Sequence, residues 1–189
     1  SHNRDIQALY VQDIWDANDN LRIILGARYD HYNDFGGTFN PRTSLTWEFV
    51  KDYNLIVTYG SAFRAPSFGE LYNKNNPSVI GNPDVEPEKI ETYEVAIAGD
   101  ITKRMNFRVT GFHNNIRNLI APTPTATSVN ESGNVGKLKV DGVEMELSSR
   151  LKDGSTIALN YTYQNPKNKL TGERLANVSR QKINASFSY

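Results

Sequence analysis

A chain of 189 residues is long enough for one ordinary domain or for part of a larger one. Lysine plus arginine and aspartate plus glutamate both number 21, and the zero net charge argues against a general nucleic-acid binder, which needs a basic excess. With no cysteine, disulfides and thiolate metal sites are excluded. No apolar run approaches the roughly 18 residues of a membrane helix, and the opening SHNRD carries no legible signal peptide.

Taken in chain order, the hydrophobic pattern has a period of two. The first strand is expected at about 4–15, where IQALYVQDIW places apolar residues on both parities and leaves its orientation open. The second, 21–32, sets Leu21, Ile23, Leu25, Ala27 and Tyr29 against Arg22, Ile24, Gly26, Arg28 and Asp30. Strands follow at 41–51 and 53–63, the latter alternating Tyr53, Leu55, Val57 and Tyr59 with Asn54, Ile56, Thr58 and Gly60. Further strands are expected at 89–99, 104–117, 137–151, 155–164 and 179–189; in 104–117, Phe112 breaks the parity of Met105, Phe107 and Val109. Such alternation gives strands with one apolar and one polar face. No convincing amphipathic helix is present.

The connections are as informative as the strands. Short ones are expected at Asp16–Asn20, Lys51–Asp52, Asp100–Lys103 and Lys152–Ser155. Long ones are expected at Asn33–Asn40, Arg64–Glu88, Asn118–Gly136 and Gln164–Val178, strictly alternating with the short. An up-and-down antiparallel sheet puts all short turns at one end and all long loops at the other, as outer-membrane β-barrels do. The expected strands, mostly of about 9–13 residues, exceed the usual soluble length of about 5–6 and match a tilted membrane crossing. Trp15, Trp47, Phe49 and Tyr53 lie near short turns and suit an interfacial aromatic girdle. Two alternatives stay open on pattern alone: a passive outer-membrane channel, and a soluble β-sandwich binding module.

YGSAFRAPSFGELY, from Tyr59, followed by GNPDVEPEKIETYEV, from Gly81, resembles the segment of TonB-dependent outer-membrane receptors built around an FRAP box and an NPxL-type box. The boxes read Phe63-Arg64-Ala65-Pro66 and Asn82-Pro83-Asp84-Val85, followed by Pro87-Glu88; Val85 stands where the pattern has leucine. LYVQD, LGARYD, NPRTSLTW, VDGVEMEL and LANVSRQKINASFSY extend the resemblance over nearly the whole chain. The resemblance implies an all-β, antiparallel, up-and-down transmembrane barrel of 22 strands, of which residues 1–189 would form about nine. It implies a plug domain, not seen in this sequence, and uptake of a scarce nutrient driven by the TonB complex. The expected partners are outer-membrane lipid, the plug, TonB and a small extracellular ligand, most simply a ferric siderophore. The expected location is the bacterial outer membrane. No cofactor is expected, the iron chelate being cargo.

Among individual residues, Arg64 suits an anionic ligand, but the preferred reading is a strand-end arginine paired with Glu70 or Glu88. Pro66, Pro77, Pro83 and Pro87 end pairing and stiffen the loop, so both boxes read as the feet of a long loop. The interval Ser67–Asn82 holds no histidine, which lowers the prospect of haem. His31 and His113 are isolated. Glu94, Arg108, Glu144 and Glu146 fall on polar parities and are expected to face the lumen. Asp84, Glu86 and Glu88 form an acidic group without calcium-loop spacing, and no metal site is expected. APTPTATSVNESGN, from Ala121, has little apolar material and is expected to be mobile. No GxSxG, HExxH or P-loop pattern supports catalysis.

Overall fold

Residues of alternating polarity can satisfy their backbone only by pairing sideways, and here they pair in simple succession. The computed structural model describes residues 2–126 and 129–189. Its strands are β1 (Ile6–Asn18), β2 (Leu21–Tyr32), β3 (Gly36–Val50), β4 (Tyr53–Arg64), β5 (Val79–Ile80), β6 (Glu88–Thr102), β7 (Met105–Thr123), β8 (Asn130–Arg150), β9 (Thr156–Asn168) and β10 (Gln181–Ser188). One short helix, α1 (Phe68–Tyr72), lies in the β4–β6 loop. The nine long strands form one antiparallel sheet in chain order, with β1 and β10 at its edges. The two-residue β5 pairs parallel with β8.

Register sorts the side chains onto two faces. One row runs Asn54, Ala98, Arg108, Glu146 and Asn160; two residues along, another runs Ile56, Ala96, Thr110, Glu144 and Thr162. This polar face holds the buried sheet residues Asp30, Thr38, Ala96 and Thr110. The opposite face carries Leu25, Val57, Val95, Ile97, Val109, Met145 and Leu159, all exposed. Among the described residues no second sheet covers it, so the sandwich alternative lacks the partner layer it requires.

The register also orients β1. Leu9, Val11 and Trp15 pair with Tyr29, Ala27 and Ile23 on the apolar face, while Tyr10, Gln12 and Asp16 share the polar face. Phe112 sits on the polar face, where its ring lies in the space that a Cβ at Gly142 would occupy. Glycine in a strand often marks such a close approach, and here it resolves the broken parity of β7.

Several expected boundaries need correction. The β2–β3 connection is only residues 33–35, because Gly36 at φ +92° turns the chain directly into β3. It is shorter than the Leu151–Ser155 connection at the other end, so short and long connections do not strictly alternate. The expected mobile loop Asn118–Gly136 is largely paired: β7 and β8 continue as a hairpin to Thr123 and Asn130. Its Thr127 and Ser128 lie outside the described residues. β9 likewise runs on to Asn168. α1, capped by Ser67 with Glu70 closing a capping box, is a single short turn and too short to carry an amphipathic face.

Aromatic side chains fall into two bands on the apolar face. Near the short turns, Trp47 lies 6.0 Å from Phe49 and Tyr53 lies 6.1 Å from Phe107, measured between ring centroids. Toward the long loops, Tyr59 lies tilted beside Tyr93 at 5.0 Å, and Tyr93 beside His113 at 6.1 Å. Tyr53 and Tyr59 are six residues apart on β4, about 20 Å of strand at 3.3 Å per residue. The sequence reading anticipated only the first band.

Candidate functional site

Arg64 ends β4 directly opposite Glu88, which begins β6. Its Nε and Nη2 donate to the two Glu88 carboxylate oxygens, both at 2.7 Å. Its Nη1 and Nη2 donate to the two Glu70 oxygens, both at 3.0 Å. One planar fork therefore grips two carboxylates bidentately, a geometry lysine cannot reproduce. Glu70 Oε2 also accepts from the Ser67 amide at 2.7 Å, and Glu88 Oε1 from the Ile120 amide at 2.9 Å. The guanidinium, through hydrogen bonds first, holds both carboxyls below their ordinary range; Glu88 and then Glu70 raise the pKa of Arg64. With its donors so committed, Arg64 serves the loop feet; an anion seeking it must displace a carboxylate.

The rest of the FRAP segment closes around this fork. Pro66 and Leu71 are buried, and Phe63 meets Tyr32 edge-on at 5.8 Å. Arg4, which the sequence did not single out, donates to the Pro66 carbonyl at 2.7 Å and pairs with Asp34 at 2.6 Å. Its guanidinium lies 4.9 Å from the Phe68 ring centroid and 5.3 Å from that of Phe35. Ala65 is half-buried between the two anchors.

The second box is fastened differently. Gly81 abuts the end of α1: a Cβ there would sit 2.6 Å from the Tyr72 amide nitrogen. Asn82 donates its amide to the Glu70 carbonyl at 2.8 Å, and its side chain accepts from the Asp84 amide at 2.9 Å across Pro83. Val85 and Pro87 are buried, so valine fills the position where the family pattern has leucine. Asn134 brackets Glu86, accepting from its amide at 2.7 Å and donating to its carbonyl at 2.8 Å. Asn118, at φ +58° in a bulge of β7, donates to the Glu86 carboxylate at 2.8 Å. Bulges re-aim side chains in this way. The acidic group is thus dispersed: Glu88 goes to Arg64 and Glu86 to the two asparagines. Among the described residues no three metal-ligating groups converge.

Glu94, Arg108, Glu144 and Glu146 share the polar face. Arg108 and Glu146 are cross-strand partners, yet Arg108 Nε donates to Thr110 at 3.2 Å. Both line a polar groove of about 780 Å³ toward the short-turn end. Higher on the same face, Arg28 pairs with Asp30 at 2.7 Å, and Arg42 donates to Tyr10 and Gln12. Of these two arginines, only Arg28 was visible as a polar parity in the sequence. His113 instead lies on the apolar face, 2.6 Å from Asp141. His31 falls on that face too, opposite Gly37.

The family model for the β-barrel of TonB-dependent receptor-like proteins matches residues 1–189. The chain belongs to this family. The siderophore receptor PirA of Acinetobacter baumannii has the same fold, with a TM-score of 0.84 at 22% identity over 97% of this chain and 31% of that one. The ferric enterobactin receptor PfeA of Pseudomonas aeruginosa gives 0.79 at 23% identity over 97% and 30%. The ferripyoverdine receptor of Pseudomonas aeruginosa gives 0.77 at 18% over 98% and 26%. The chain thus spans less than a third of the length of each. The family is one of outer-membrane transport receptors.

Proposed function

We propose that this chain is part of the barrel wall of an outer-membrane receptor that takes up a scarce nutrient, most simply iron held in a siderophore. The observation that carries this reading is the sheet's division into an exposed apolar face and a polar face with a fastened loop at one end. The apolar face suits lipid. The polar face, with Arg28, Arg42 and Arg108 among its carboxylates, suits a wet interior that meets a plug domain and an anionic chelate. Family membership supports coupling to TonB, and three neighbours of the same fold are named for siderophores or their ferric complexes. The chain's own chemistry is transport rather than catalysis, and no cofactor enters the proposed cycle.

The test is a binding titration of the detergent-purified receptor against ferric siderophores, haem and cobalamin. Saturable binding of at least one ferric siderophore is expected, with neither haem nor cobalamin competing. Tight binding of haem or cobalamin alone would redirect the substrate. Unsaturable, passive solute flux in vesicles, with no ligand retained, would favour a channel and overturn the reading.

A further inference from the structure

Three adjacent strands repeat one gradient on the apolar face. Toward the long-loop end, β7 reads Gly111, His113, Asn115, Arg117; β8 reads Val143, Asp141, Lys139; β9 reads Tyr163, Asn165, Lys167. Each strand passes from apolar or small, through neutral or hydrogen-bonded polar, to cationic. From Val143 to Lys139 is four residues, about 13 Å of strand. At the lower end lies an open groove of about 750 Å³, walled by Val57, Tyr59, Tyr93, Val95 and Tyr163. It exists because Gly111 contributes no side chain: a Cβ there would meet nothing closer than the Val95 carbonyl at 4.0 Å.

Charge at the upper end is unbalanced. Lys139 and Lys167 are direct cross-strand partners, a like-charge arrangement that destabilises a sheet when nothing lies between. Lys169 reaches over Asn115 at 3.2 Å, and Lys89 pairs in register with Arg117. Nearby, Glu91 is engaged with Arg117 at 2.5 Å and Asp141 with His113, while Glu173 stands one residue from Arg174, the bridge partner of Lys167. Among the described residues no carboxylate lies within ion-pair distance of Lys139 or Lys167. The cluster is local, since β1 to β4 place Gln7, His31, Gly37 and Phe63 toward the same end of this face.

We propose that this surface seats one phosphate-bearing lipid of the outer leaflet, with a phosphate bridging Lys139 and Lys167 and an acyl chain in the groove over Gly111. An amphiphile with its chain toward the bilayer centre and its phosphate at the surface has the same polarity gradient as the three strands. Electrostatic attraction then adds to apolar burial, as it does for other anionic-lipid contacts. The inference rests on the membrane placement proposed above, but not on which nutrient is carried.

The test uses the detergent-purified receptor, delipidated and then offered diphosphoryl lipid A, its dephosphorylated form, or inorganic phosphate, with bound lipid counted by native mass spectrometry. Retention of the diphosphoryl form alone is expected. The double substitution K139Q/K167Q should weaken it by about tenfold or more, and Gly111→Leu should weaken it with every charge intact. Equal retention of the dephosphorylated lipid overturns the phosphate bridge, and displacement of the lipid by inorganic phosphate alone overturns the groove. Undiminished binding by K139Q/K167Q overturns the site. The comparison among ligands on the unsubstituted receptor decides the matter even if a variant fails to fold. Siderophore titration of the same preparations is read separately, so either proposal can fail alone.

Discussion

Arg64 shows how far one side chain can be committed. It holds two carboxylates from opposite feet of a loop, and each carboxylate then accepts a backbone amide. Replacing it by alanine leaves Glu70 and Glu88 half-buried without a counter-charge. Loss of one partner from a fully buried pair costs about 3–5 kcal/mol. Arg64 is 47% exposed, so solvent screening reduces the expected cost to about 1–2 kcal/mol. That cost should appear as faster proteolysis and amide exchange across residues 65–87, with Arg64→Lys intermediate; unchanged protection would refute the clasp. The same fork predicts an acid limit. Both carboxyls have folded pKa values below their unfolded value of about 4.3. Their contribution is therefore complete above that value and is lost as pH falls through the folded values. The Ser67 and Ile120 amides should stay protected at pH 7 and pH 5 and open only as pH falls past the unfolded value and through the lower folded ones, once intrinsic exchange is corrected for. In Arg64→Ala that pH dependence should largely vanish.

At the scale of elements, Asn134 holds a loop from 48 residues away. Asn134→Ala removes three hydrogen bonds, two to Glu86 and one to the Asn118 carbonyl. At about 1 kcal/mol for each typical bond, the second box should loosen by about 2–3 kcal/mol while the sheet keeps its melting temperature. Limited proteolysis near Val85 against far-ultraviolet circular dichroism separates the two effects, and a parallel loss of both would contradict this. These elements also mark what the sequence could disclose. β2, β4 and β6 were legible because an apolar face set against a polar one imposes a period of two on their residues. The extension of β7 and β8 was not: NESGNVGKLK has no such period, and its support comes from β5 and the second box across the fold. α1 is too short for helical periodicity, yet Ser67-Phe-Gly-Glu70 spells its capping box, and that signal was available. Arg4 left no local trace, since its partners Asp34 and Pro66 are 30 and 62 residues distant.

The whole sheet exposes more surface than a water-soluble chain of its size tolerates. Its accessible area is 12467 Å² for 21.3 kDa, whereas a compact monomer of that mass presents about 9,100 Å². Much of the excess is apolar, with Leu9 and Ile183 each 74% exposed near opposite edges. Lipid against the apolar face and neighbouring strands at β1 and β10 would cover such surface, and bare edges otherwise invite association. The two faces should therefore respond oppositely to the same charge. Ile97 lies on the apolar face between the two aromatic bands, while adjacent Ala98 lines the polar groove. For the receptor refolded into vesicles, Ile97→Lys should cost about 2–4 kcal/mol, as cations near the bilayer midplane do. Ala98→Lys gains room and carboxylates at Glu48 and Glu146, and should cost no more than about 1 kcal/mol. Urea titration in the vesicles measures both. Equal costs would mean that neither face meets lipid, and a larger cost at Ala98 would reverse the assignment of inside and outside.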